Sequence, residues 1–130
     1  MRQNTTSGAA LASNRSFTGK HKLNKAIEFK RVFRKPFVSA DACFKVLGRL
    51  NQEENSRLGM AVSRQVDKHA VGRNRIKRVV RESFRNHFSC KNVCLDIVIL
   101  PRRQTADMSN EKLFQSLQDH WTRLGNKFEG

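Results

Sequence analysis

The chain has 130 residues, with 26 Lys and Arg against 11 Asp and Glu and a formal net charge of +15. That length holds one compact domain and little else, and the charge points to a polyanionic partner, nucleic acid ahead of a membrane surface. No apolar run nears the ~18 residues of a spanning helix, and Cys43, Cys90 and Cys94 are too few for a disulfide scaffold, so a cytoplasmic protein without a membrane segment is expected.

Residues 1–19 are polar, rich in Ser, Thr, Asn and Ala, and read as a flexible N-terminal tail without a signal-peptide core. Leu23 and Asn24 then offer a staple residue and an N-cap. The helix they open runs over about 25–34, its apolar stripe marked by Ala26, Phe29 and Phe33, and Lys35-Pro36 ends it. Over 42–50, Phe44, Val46, Gly48 and Leu50 alternate with Lys45, Leu47 and Arg49, which predicts a strand. Leu58, Met60 and Val62 alternate with Gly59, Ala61 and Ser63 in a second strand, and the polar segment 51–56 between them predicts a hairpin.

A basic connection over 64–72 leads into a helix over about 73–88, with Gly72 just ahead of it. Ile76, Val80, Phe84 and Phe88 recur four apart with Val79 beside them, a core-facing stripe. At 100° per residue Lys77, Arg78, Arg81 and Arg85 fall on an adjoining face. The run over 93–100 is β-branched and nearly all apolar, as in a strand covered on both faces, and Pro101 closes it. Ser109 caps a last helix striped by Leu113, Phe114, Leu117, Trp121 and Leu124, with Gly125 as its stop and 126–130 as a short C-terminal tail. The order is α-β-β-α-β-α, an α+β domain over 20–125 with one sheet of three or four strands and helices packed on it.

Candidate chemistry is one-sided. The acids are scattered, the four histidines are isolated, and no phosphate-binding glycine loop or nucleophile elbow is present. His87, Cys90 and Cys94 match no common zinc spacing. Nothing supports catalysis by the protein itself. The basic helix is different. Arg73, Arg75, Arg78 and Arg81 carry planar forks suited to phosphate, Asn74 can reach a backbone group or a base edge, and Glu82 is the one acid in 68–85, so salt-bridge lacing cannot explain the cations. Phe29 and Phe33 lie four apart among Lys30, Arg31, Arg34 and Lys35, as stacking on single-stranded nucleic acid requires, although their spacing alone favours packing. Charge alone would also suit a ribosomal protein or an RNA chaperone. A protein nuclease would need an acid or histidine whose loss abolishes cleavage.

Arg57-Leu58-Gly59-Met60-Ala61-Val62-Ser63-Arg64, followed by Lys68-His69-Ala70-Val71-Gly72-Arg73-Asn74-Arg75-Ile76-Lys77-Arg78-Val79-Val80-Arg81-Glu82-Ser83-Phe84-Arg85, closely resembles the bacterial ribonuclease P protein component. The Arg73-Asn74-Arg75 core is that family's hallmark, and Glu28-Phe29, Val32-Phe33 and Asp96-Ile97-Val98-Ile99-Leu100-Pro101-Arg102 also fit, so the resemblance spans about 20–124. It implies a two-layer α/β sandwich of the ribosomal protein S5 domain 2-like type with a left-handed βαβ crossover. It also implies a subunit of the ribonucleoprotein that removes the 5′ leader from precursor tRNA, a tRNA-processing endonuclease whose RNA subunit holds the catalytic Mg2+ and does the hydrolysis. On that resemblance Arg64, Lys68, Arg73, Asn74, Arg75, Lys77, Arg78, Arg81 and Arg85 face the catalytic RNA, while Phe29, Phe33, Phe44 and Lys45 line a cleft for the leader. No catalytic or metal-binding residue and no obligate protein partner is implied on the protein. The polar extension over 1–19 is longer than many members carry, the chain has no Tyr, and Leu47 stands where some members place a cleft aromatic.

Overall fold

The structure is a computed structural model that describes residues 21–23, 25–90 and 92–129; the tail expected over 1–19 and the cap expected at Asn24 lie outside the described residues. Four strands and three helices follow in the order α1 (Ala26–Arg34), β1 (Phe37–Ala40), β2 (Phe44–Asn51), β3 (Arg57–Met60), α2 (Ala70–His87), β4 (Cys94–Pro101) and α3 (Asn110–Glu129), with a 3-10 turn over Arg103–Asp107. The N-cap position of α1 is Lys25, whose backbone N–H donates to Glu28 Oε1 at 3.1 Å. Leu23 adds a backbone bond from its N–H to Leu58 O at 3.0 Å, so the chain entering α1 runs beside β3.

The hairpin expected between the second and third strands does not form. The sheet order is β1-β2-β4-β3, with β4 antiparallel to β2 and parallel to β3. Leu95, Ile97, Val98 and Ile99 are fully buried, and so apolar a strand is best placed with a neighbour on each side and cover on each face. The hairpin partner of β2 is β1, a four-residue strand directly after Pro36 that the sequence pattern does not mark. Asp41 shapes the turn between them by accepting the N–H groups of Cys43 and Phe44, both at 2.8 Å.

One face of the sheet presents Phe44, Val46, Leu58, Leu95, Ile97 and Ile99 to Ile76, Val79, Val80 and Phe84 of α2 and to Leu113, Leu117, Trp121 and Leu124 of α3. Each such side chain contributes roughly 1.5–3 kcal/mol of burial. Trp121 meets Phe84 and Phe88 edge-on at 5.9 and 5.4 Å and donates Nε1–H to Ser83 Oγ at 2.8 Å, which locks α2 against α3. Gly125 does not end α3. The helix continues because Phe128 packs edge-on against Phe37 at 6.1 Å, so the residues expected to form a tail are helical to Glu129.

The opposite face carries a smaller core of Leu23, Val32, Leu47 and Val98, with Phe29 and Leu100 packed against it. Gly59 makes room there: a Cβ at that position would stand 2.7 Å from Phe29 Cζ. An ion-paired cluster fastens α1 to this face. Arg57 donates to Glu28 Oε2 at 2.6 Å and grips both oxygens of Asp96 at 2.9 and 2.8 Å, while Asn51 donates to Asp96 Oδ1 at 2.7 Å. Arg49 closes the other end of α1 with a 2.6 Å bond to Arg31 O.

Candidate nucleic-acid interface

The segment with the most cations folds as a helix that begins nearly one turn earlier than the sequence pattern marks, at Ala70, and ends at His87, so Gly72 lies in its first turn. Ahead of it the chain turns tightly through Val66 N–H to Ser63 O at 3.0 Å, and Asp67 Oδ1 accepts the His69 N–H at 2.9 Å. The buried stripe Ile76, Val79, Val80, Ser83 and Phe84 fixes which side of α2 looks outward. Asn74, Arg78, Arg81 and Arg85 are exposed on that outer side, Lys77 is half-buried at its margin, and Arg64 and Lys68 are exposed in the connection that precedes the helix. None of these cations is in an ion pair among the described residues. The exposed row can therefore take phosphate without first breaking an internal contact.

Two members of the predicted set point elsewhere. Arg73 Nη1 donates to Asp67 O at 3.0 Å and Lys68 O at 3.1 Å, holding the incoming connection. Arg75 Nη1 donates to Met108 O at 3.1 Å and Asn110 Oδ1 at 2.7 Å, and its Nη2 donates to Thr105 O at 3.1 Å and Ala106 O at 3.3 Å. The two arginines thus diverge from Asn74 toward the two loops that flank the start of α2.

The predicted cleft residues divide in the same way. Phe29 lies half-buried on Gly59 beneath α1, and Phe33, one residue past the fully buried Val32, is 50% exposed. Lys45 is exposed on β2, on the same face as Leu47 two residues on. Phe44 is a correction. Alternation turns it to the other face with Val46, where it is fully buried and meets His120 edge-on at 6.4 Å, so it cannot reach a ligand in this cleft. The sequence reading missed Val38, which lies opposite Leu47 in the β1–β2 register and is 45% exposed on the cleft face. The sole signal for it was a short Phe-Val pair after a proline.

Among the described residues no three His, Cys, Asp or Glu side chains gather into a metal site. Burial, then the Glu129 carboxylate and Cys94, push the Cys90 thiol up to about 12, so at neutral pH it is protonated. Ser39, His120 and Asp41 do cluster: Ser39 Oγ is 2.6 Å from His120 Nδ1, and His120 Nε2 is 3.2 Å from Asp41 Oδ2 but off the line of a hydrogen bond. The hydroxyl also accepts from Arg123 Nη1 at 3.1 Å, and His120 is fully buried, so the cluster joins β1 to α3 and offers no open face to a substrate.

A family model described as Ribonuclease P matches residues 17–125. The "Ribonuclease P protein component" of Methylococcus capsulatus is 37% identical over 114 residues, covering 88% of each chain. Among solved structures, the RNase P protein of Staphylococcus aureus superposes with a TM-score of 0.68 at 30% identity, covering 80% of this chain and 94% of its own. The RNase P protein of Thermotoga maritima gives 0.68 at 28% identity, covering 79% and 96%. These are mixed α and β proteins of the same architecture.

Proposed function

The chain belongs to the ribonuclease P protein family and is the protein subunit of the holoenzyme that processes the 5′ end of precursor tRNA, and from that premise we propose which surfaces carry its part of the work. The family implies an RNA subunit as partner. We assign the docking surface on that RNA to the outer side of α2 and the connection before it: Arg64, Lys68, Asn74, Lys77, Arg78, Arg81 and Arg85. The observation that carries this reading is the row of exposed, unpaired cations held outward by a buried apolar stripe. Counterion release from phosphates supplies the affinity, and correct placement of the substrate beside the RNA active site supplies the rate.

The cleft face takes the 5′ leader of precursor tRNA in this reading. The exposed part of Phe33 and the free edge of Phe29 stack on bases, Val38 extends the apolar floor, and Lys45 meets the backbone. Phe29 serves packing and stacking together, which the Gly59 gap permits. The reaction uses Mg2+, but the described residues do not fit a site for it, so the ion is assigned to the RNA and the protein contributes binding and orientation only. No helix of the described residues is long and apolar enough to cross a membrane.

The test is a titration of the catalytic RNA with full-length protein at several salt concentrations. R78A and R81A should each weaken binding and lower the salt slope by about one. Unchanged affinity and slope in both variants would remove the docking surface from α2.

A further inference from the structure

We infer that Arg75, the last residue of the Arg-Asn-Arg motif, is a positioning residue that clamps the 105–110 segment to α2, and that it supports RNA binding without touching RNA. The inference rests on the reading of α2 as the docking surface. A guanidinium has five N–H donors, and here the four on Nη1 and Nη2 face four acceptors, Thr105 O, Ala106 O, Met108 O and Asn110 Oδ1. Only the Nε–H remains. To grip a phosphate with its fork, Arg75 would have to give up bonds between 2.7 and 3.3 Å.

Those acceptors explain why a cation is placed there. At the end of the 3-10 turn Arg103–Asp107, Thr105 O also accepts the Met108 N–H at 3.2 Å, and Asn110 is the first residue of α3. One planar fork thus caps the 3-10 turn and ties the start of α3 to the first half of α2. The segment is tied at its other end by Arg102, whose N–H donates to Cys43 O at 2.9 Å and whose Nε donates to Asp41 O at 2.7 Å. With both ends fixed, α2 cannot tilt away from α3 at its N-terminal half, and Arg78 and Arg81, one and two turns further on, keep their positions relative to the cleft. Lysine has the charge of arginine but no fork, so it cannot span these four acceptors.

The experiment compares R75A, R75K and R78A in full-length protein, reading catalytic-RNA affinity, its salt slope and the melting temperature of the free protein. R78A is the reference for a phosphate contact: its slope falls by about one while its melting temperature holds. R75A and R75K should behave alike, with a lowered melting temperature, about threefold to thirtyfold weaker binding at a temperature where both are folded, and the wild-type slope. A slope lowered in R75A and restored in R75K, with melting unmoved, would make Arg75 a phosphate contact and overturn the inference. Unchanged affinity in both would reduce it to a purely structural residue and overturn it equally. N110A removes one acceptor and should give a smaller loss of the same kind, which covers the case of an R75A protein that does not fold. If R78A leaves the slope intact, the docking surface fails on its own, and the comparison of R75A with R75K is still read directly.

Discussion

Single side chains decide how far the charge pattern can be trusted. Projection at 100° per residue places Arg78, Arg81 and Arg85 outward, as the structure has them. It cannot show that Arg75 finds carbonyls at 105–108, because that contact depends on where a segment thirty residues away packs. Phe44 was legible in principle, since it shares the strand phase of Val46 and not of Lys45. At Phe33, loss of the ring in F33A should weaken precursor-tRNA binding by about 1–3 kcal/mol and leave mature-tRNA binding near wild type; an equal loss for both would assign the ring to packing. His120 carries a pH prediction. Burial lowers its pKa below 6.5 despite the nearby Asp41 carboxylate, with Arg123 lowering it further and Asp119 raising it. Burial also raises the Asp41 carboxyl, but the Ser116 hydroxyl, the Phe44 and Cys43 N–H groups and His120 outweigh this and hold it near 2. Both folded pKa values lie below their unfolded ones, so both contributions are complete above pH 6.5 and are lost as pH falls. The urea midpoint should drop first below pH 6.5 and again below about 3.8, and H120Q should remove the first drop while keeping the second.

At the scale of elements, long periodic segments were readable and short ones were not. The stripes of α2 and α3 and the apolar run of β4 declare themselves by repetition. In β1 only Ser39 is buried, so its four residues carry no pattern to detect. The expected β2–β3 hairpin followed from the polar 51–56 turn, and it loses to the burial that β4 gains between two neighbours. An acid inside that run, Asp96, was a sign that a cation must lie across the sheet, and Arg57 is that cation. The cluster joins α1, β3 and β4, so R57A should remove the guanidinium that bridges the Glu28 and Asp96 carboxylates. The expected cost is about 3–5 kcal/mol of stability, seen in urea unfolding, with loosening of α1 seen as faster amide exchange in Ala26–Arg34. Stability within 1 kcal/mol of wild type would mean that water replaces the guanidinium.

For the whole molecule the sheet order has a geometric consequence. α1 packs on one face of the sheet and α2 on the other, and both carry exposed cations on their outer sides, Lys30, Arg31 and Arg34 on α1 and Arg78, Arg81 and Arg85 on α2. With about 10 Å per packed layer, the two helix axes stand roughly 20 Å apart. Cleavage reagents tethered through I27C on α1 and V71C on α2, both at exposed positions, should strike separate RNA segments in the assembled holoenzyme. A nucleotide cut strongly from both sites would contradict that separation. Under the proposed assignment of α2 to the catalytic RNA and of the opposite face to the leader, the buried sheet becomes a spacer of fixed thickness: its core would set, in ångströms, how far apart the protein holds the two.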